Sequence, residues 1–121
     1  MTSVLNVDTI AAKDGTSPAT LTKQSAAKMW ANANNSHVIQ NSFNVSSLTD
    51  GGTGNYTWAM NNSMSDADYC YLGICGNTTN DDGFWAGGTP TTSSYFVRCR
   101  TYNGNLNDVG EACTAVQGDL A

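Results

Sequence analysis

The stretch SFNVSSLTDGGTGNYTWAM, residues 42–60, decides the fold. Apolar and polar residues alternate over 43–47 and again over 56–60, and the turn-forming run 50–54 separates the two segments. Alternation with a period of two is typical of a strand with one buried face, and a glycine-rich turn between two such strands indicates a β-hairpin. The segment therefore predicts two antiparallel strands joined by a tight turn.

Short runs of the same kind continue to the end of the chain, separated by Gly, Asn and Asp. They predict further strands at 69–75, 84–86, 95–102 and 112–117. In the first of these, Cys70, Leu72 and Ile74 share one face. Strands at this spacing, without intervening helices, predict an all-β fold, an antiparallel β-sandwich or small barrel.

Residues 1–35 have a different character. Residues 4–10 suggest a short extended piece, and a helix is expected from Thr20 or Thr22 through Trp30, because most residues between them are good helix formers. A helix this short needs packing against the domain or against other copies. We therefore divide the chain into an N-terminal attachment or oligomerisation segment, 1–35, and an antiparallel β domain, 36–121. The apolar residues assigned to attachment are Val4, Leu5, Val7, Ile10, Leu21, Met29 and Trp30.

The chain is acidic and carries little charge. Only 12% of its 121 residues are charged, and the net charge is −5. Binding to nucleic acid requires clustered Lys or Arg, and only Arg98 and Arg100 lie close together, so no nucleic-acid partner is expected. No secretory signal and no run of about 20 apolar residues is present, which predicts synthesis in a cytosol and no membrane insertion.

The residues that could carry chemistry are few. His37 is the only histidine, and it lacks a local nucleophile signature, so we expect a surface or interface histidine. The carboxylate pairs at 66/68 and 81/82 lie in polar loops, where Asp is common as a turn former. Cys70 and Cys75 have neither the spacing nor the shared face of a zinc site. The sequence therefore predicts no enzyme, no metal site and no cofactor.

Four cysteines allow three disulfide pairings, and the cytosolic interpretation favours free thiols that behave as small apolar groups.

The aromatic residues admit two interpretations. They can fill a core and an oligomer interface, or they can stack on sugar rings. The candidates for glycan or partner contact are Trp85, Phe84 and Tyr102.

Several stretches taken together resemble a family of small structural proteins of tailed bacteriophages that infect marine and freshwater bacteria, including cyanobacteria. The similar stretches are SVLNVDTI (3–10), DGTSP (14–18), LTKQSAAKMW (21–30), the hairpin 42–57, MSDADY (64–69) and VQGDL (116–120). Members are described as tail-fibre-like or other virion structural proteins. The resemblance covers both ends and the hairpin and is weak over 77–92.

The resemblance implies a trimeric short fibre or capsid-decoration protein displayed on the particle surface. It also implies a β-rich domain behind an attachment segment, assembled as a homotrimer, with capsid or tail proteins as partners. Such a chain is made in the host bacterial cytoplasm and reaches the virion without a signal peptide, because release is by lysis. The alternative function is a carbohydrate-binding module that recognises host surface glycans. The family implies no catalytic residues.

Overall fold

The computed structural model describes residues 26–76 and 84–121, and for 84–86 it describes the backbone alone. Within these ranges the chain forms two four-stranded antiparallel sheets and no helix, which confirms the all-β architecture. Sheet I has the strand order β2-β1-β8-β5, and sheet II has the order β3-β4-β7-β6. The strands are β1 (Met29–Ala33), β2 (Ile39–Phe43), β3 (Val45–Asp50), β4 (Asn55–Met60), β5 (Cys70–Gly76), β6 (Phe84–Gly87), β7 (Ser94–Arg100) and β8 (Glu111–Gln117).

The hairpin predicted from residues 42–60 is present as β3 and β4, which pair in antiparallel register. Its turn is closed by two backbone hydrogen bonds, from Gly51 N to Asn55 O (3.1 Å) and from Asn55 N to Gly52 O (2.9 Å). Gly52 has a φ of 95°, a conformation that glycine adopts without steric cost. The glycines of this segment therefore serve the turn.

The first strand of the hairpin is shorter than predicted, because Asn44 interrupts it. Asn44 has a φ of 58°, in the left-handed region that asparagine tolerates better than most residues. The interruption ends β2 in sheet I and begins β3 in sheet II, so the chain passes between sheets at one residue. The Asn44 side chain ties this corner together: Nδ2 donates to Lys28 O (2.9 Å) and Asn62 O (3.2 Å), and Oδ1 accepts from Asn62 N (2.8 Å).

The predicted helix through Trp30 is wrong over the residues where the structure can be compared with it. Residues 1–25, with the predicted extended piece and the start of the helix, lie outside the described residues. Residues 26–28 are not helical, and Met29–Ala33 is β1, which lies between β2 and β8. Alternate β1 side chains enter the core, and this burial outweighs the helix propensity of Ala and Met. The β domain thus reaches back at least to Met29, inside the range 1–35.

The inward faces of both sheets share one core, in which the Trp58 side chain is fully buried. Its members are Met29, Ala31, Ala33, Tyr56, Trp58, Met60, Met64, Tyr69, Cys75, Tyr95, Val97, Cys99, Val109, Ala112 and Val116.

A buried pair of hydroxyl groups connects the two sheets through this core. Thr114 Oγ1 in β8 donates its single proton to Leu72 O (2.9 Å), so the Tyr95 hydroxyl in β7 is the donor in its 2.6 Å contact with Thr114 Oγ1. Burial raises the pKa of Tyr95 above its usual value, and the hydrogen bond with Thr114 opposes this only in part. The hydroxyl therefore stays protonated and keeps its role as donor.

Candidate functional site

Sheet I turns one face to the core and the other outward, and its register arranges the outward side chains in rows across all four strands. The first row is Phe43, Trp30, Ala115 and Leu72. The second row is Asn41, Asn32, Cys113 and Ile74. We call the six apolar members the outer face: Trp30, Phe43, Leu72, Ile74, Cys113 and Ala115.

The outer face exposes large apolar side chains side by side. Ile74 is 69% exposed, Phe43 54%, Leu72 52% and Trp30 40%. These are four of the seven large apolar side chains that are exposed among the described residues. Scattered apolar side chains are ordinary on a protein surface, whereas a contiguous group across four strands marks an interaction site.

The two rows contain no Lys, Arg, Asp or Glu. Their one titratable group, the Cys113 thiol, stays neutral because burial, and then the charge of Glu111, raise its pKa. A hydrogen bond from Asn32 Nδ2 to Cys113 Sγ (3.3 Å) works in the opposite direction but does not reverse this. The outer face is therefore an uncharged surface on an acidic chain.

The outer face is not flat. An open depression of about 340 Å³ lies between β5 and β8, lined by Leu72, Gly73, Ile74, Cys113, Thr114 and Ala115. The aromatic rings of Trp30 and Phe43 stand at the other end of the first row, on β1 and β2. The same face thus carries a recess at one end and bulky side chains at the other.

The outward face of sheet II is polar by comparison. Arg98 donates from Nε to Asn55 Oδ1 (3.3 Å), and its guanidinium lies 5.0 Å from the centroid of the Phe96 ring, which it covers. Thr49 and Thr57 are paired on the neighbouring strands. The outward face of sheet II is therefore the matched control surface when variants of the outer face are tested.

The structure places the predicted site residues in three different settings. Met29 is fully buried in the core, so its side chain does not contribute to an exposed attachment surface, whereas Trp30 lies on the outer face. Tyr102 is 67% exposed in the loop after β7. The other predicted attachment residues, Val4, Leu5, Val7, Ile10 and Leu21, lie outside the described residues. Phe84 and Trp85 belong to β6, but their side chains are not described.

Sequence reasoning missed Phe43, Leu72 and Ile74 as surface residues. One signal was visible, because Cys70, Leu72 and Ile74 were predicted to share a face of their strand. Their orientation was not visible, since Tyr71 and Cys75 on the opposite face are equally able to enter a core. The core takes Cys75, and the aliphatic side chains are left outside.

The His37 side chain is buried, which corrects the surface alternative in the expectation of a surface or interface histidine. Its side chain is 6% exposed and stacks on the Tyr56 ring, with centroids 4.2 Å apart. The Nε2 atom lies 3.5 Å from Asp50 Oδ1 and 3.9 Å from Asp108 Oδ1 and has no hydrogen-bond partner. The His37 ring therefore packs against the ring of a core residue, a contact that a histidine on the surface would not make.

The two carboxylates beside His37 have structural partners. Asp50 Oδ1 accepts from Gly52 N (2.7 Å), and Asp108 Oδ1 accepts from Gly54 N (2.6 Å). Within 26–76 and 84–121, no serine, threonine or cysteine side chain is hydrogen-bonded to His37. The cluster therefore holds the hairpin turn against the 101–110 loop and offers no nucleophile for a histidine to activate.

Two features that would indicate a specific function are absent from the part of the chain that the structure describes. In that part, no three His, Cys, Asp or Glu side chains are placed to hold a metal ion. No helix there has the length and apolar character needed to cross a membrane.

Comparison of the chain with protein-family models, with curated proteins and with solved structures finds no match.

Proposed function

We propose that this chain is a bacteriophage virion structural protein, a trimeric short fibre or capsid-decoration protein displayed on the particle surface. The observation that carries the proposal is the outer face, a contiguous apolar surface without charge on one side of a small β domain. The resemblance of both chain ends and of the hairpin to phage structural proteins supports the same function. The proposal assigns no catalytic step to the chain.

The partner of the outer face is another copy of the chain. Each copy has a net charge of −5, so two copies repel one another over most of their surfaces. The rows of the outer face contribute nothing to this repulsion, because they hold no charged side chain. Burial of four large, exposed apolar side chains then favours contact between copies at this surface.

The shape of the outer face also fits a second copy. The depression between β5 and β8 is large enough for an aromatic side chain, and Phe43 and Trp30 project from the same face. A ring from one copy can therefore enter the depression of the next. Made in one direction only, such a contact joins unlike patches and closes into a ring such as the trimer that the resemblance implies; made reciprocally, it would close as a two-fold dimer.

The mass of the full-length protein in solution tests this assembly. We expect size-exclusion chromatography with light scattering to give three times the chain mass of 12.7 kDa at micromolar concentration. Ile74→Asp is expected to give folded monomers, because it puts an unpaired charge into the contact and leaves the core intact; its unfolding temperature should fall only by the stabilisation that association gives the wild-type protein. Thr49→Asp, on the polar sheet II, is the matched control and should leave the trimer in place.

A wild-type monomer, or an Ile74→Asp protein that remains trimeric, would contradict assembly through the outer face.

The virion role is tested separately, by mass spectrometry of particles purified from a lysate of the phage that encodes the chain. We expect peptides of this chain in stoichiometric amounts with capsid or tail proteins. Their absence from the particles would overturn the virion role whatever the oligomeric state.

The second candidate function is recognition of host surface glycans. The observation in its favour is Tyr102, a 67% exposed ring flanked by polar residues in the loop after β7. Glycan-array binding that is lost in Tyr102→Ala or Trp85→Ala, but retained in Ile74→Asp, would favour this function. Equal signals for all four proteins would reject it.

A further inference from the structure

Cys75 and Cys99 meet in the core from opposite sheets. Cys75 is in β5 of sheet I and is 3% exposed; Cys99 is in β7 of sheet II and is fully buried. The separation of two packed sheets is about 10 Å, too wide for a disulfide between most facing positions. Along this side, however, β5 approaches β6, the strand that pairs with β7 at Cys99, so the two sheets come together at the edge near which both cysteines lie.

The two thiols belong to the same buried cluster, and the interaction between them is the first cause of the pKa shift of each. The hydrogen bond from Cys99 lowers the pKa of Cys75, against the effect of burial, whereas this interaction and burial together raise the pKa of Cys99. Of the two thiols, Cys75 is therefore the one that ionises more readily and acts as the nucleophile.

The other cysteines are not placed to pair. Cys70 and Cys113 both point outward from sheet I, but Cys113 is opposite Ile74, four residues along β5 from Cys70. Four residues of strand span about 13 Å, well beyond the Cα separation of about 7 Å that a disulfide allows. Cys113 and Cys75 lie on neighbouring strands but on opposite faces of sheet I.

We propose that Cys75 and Cys99 form a disulfide site that covalently links the two sheets under oxidising conditions. The inference stands on the placement of these two residues and does not depend on the proposed function. The oxidant is a small-molecule disulfide such as oxidised glutathione, present outside cells and scarce in a reducing cytosol.

The exchange occurs in two balanced steps. The Cys75 thiolate attacks one sulfur of the small disulfide, which forms a mixed disulfide and releases one small thiolate. Cys99 then gives up its proton, and its thiolate attacks the Cys75 sulfur and displaces the second small thiolate. In total, two protein thiols are oxidised, one small disulfide is reduced to two thiols, and the two protons pass to the released thiolates. Because both sulfurs are buried, the first step requires β5 and β6 to separate briefly.

The experiment compares the full-length protein refolded from denaturant with reduced or with oxidised glutathione. With oxidised glutathione we expect the number of reactive thiols to fall from four to two, the intact mass to fall by two hydrogens, and Tm to rise by roughly 10 °C. The sequence makes the linkage easy to map, because trypsin cleaves after Arg98 and Arg100 and releases Cys99 on a two-residue peptide. Chymotrypsin cleaves after Tyr71 and so separates Cys70 from Cys75.

Two variants make the outcome decisive. The double variant Cys70→Ser/Cys113→Ser keeps only the proposed pair, carries no change in the core, and must still lose both of its thiols. In Cys75→Ala, the proteolytic peptide that contains Cys99 must not be linked to another peptide. A protein that keeps four reactive thiols, a linkage between any other cysteines, or a double variant that does not oxidise would overturn the proposal.

Discussion

Gly54 shows how much a single residue contributes to this fold. Its amide donates to Asp108 Oδ1 (2.6 Å), and its carbonyl accepts from Cys99 N (2.8 Å). Its φ is 67°, and a Cβ atom at this position would lie 2.6 Å from Cys99 O and 2.7 Å from Asn107 N. The hairpin turn, β7 and the loop before β8 therefore meet at a point with no room for a side chain.

We predict that Gly54→Ala destabilises the protein by about 3 kcal/mol or more, because it combines a left-handed backbone with contact against two other segments. The matched control is Gly104→Ala. Gly104 also has a positive φ, 83°, but no atom lies within 4 Å of its virtual Cβ, so the expected loss is about 1–2 kcal/mol. Urea unfolding measures both free energies, and equal losses would show that backbone conformation alone decides the cost.

Individual elements differed in how well their sequence predicted them. The 42–60 hairpin carries both signals at once, alternation and a glycine turn, and both act over a few residues. The strand β1 carries alternation in its inward Met29, Ala31 and Ala33, but the surrounding Lys, Gln and Ala residues favour a helix in isolation. Pairing with β2 and β8 decides the outcome, and β8 lies some 80 residues away, beyond the reach of a local pattern.

The buried hydroxyl pair is an interaction between elements, because it connects β7 to β8 and, through a backbone carbonyl, to β5. We predict that Thr114→Val destabilises the protein by about 1–3 kcal/mol, since the valine has the same shape and leaves the Tyr95 hydroxyl with only the weak acceptor Met29 Sδ (3.5 Å). In a Tyr95→Phe background the same substitution should cost less. Thermal or urea unfolding of the four proteins gives the coupling, and a coupling of zero would contradict the prediction.

Three buried tyrosines affect the whole molecule at alkaline pH. Burial raises the pKa of Tyr56 and that of Tyr69 to about 12, and it raises the pKa of Tyr95 further. Above the usual tyrosine pKa of about 10, the unfolded chain loses protons that the folded protein retains. The contribution of these protonated tyrosines to the free energy of unfolding is therefore fully present below pH 10, and it is lost as the pH rises from 10 through about 12.

We predict that Tyr69→Phe flattens this alkaline decline. The variant loses hydrogen bonds to Thr91 O (2.9 Å) and Ser94 O (3.1 Å) and is less stable at every pH, so the slope is the informative quantity. Urea unfolding at a series of pH values between about 9 and 12 measures it. Tyr102→Phe, at an exposed position, is the control and should reproduce the wild-type slope; an unchanged slope in Tyr69→Phe would refute the prediction.

For the whole molecule, the fold class was predictable from short-range patterns, but the candidate site was not. The outer face draws its residues from four strands that are distant in sequence, and only their register brings Phe43, Trp30 and Leu72 into one row. Of these three residues, the sequence predicts only Trp30 as part of an assembly surface. The buried setting of His37 likewise depends on Tyr56 and Asp108, which no local pattern connects to it.

The interior position of β1 determines how the domain carries mechanical load. Since β1 is bonded on both sides, to β2 and to β8, a pull from its N-terminal side along the strand must slide it past two neighbours at once. Many hydrogen bonds then resist together, whereas an edge strand such as β5 would peel away one bond at a time. Single-molecule stretching from residue 26, compared with stretching from β5, should show the higher force in the first geometry.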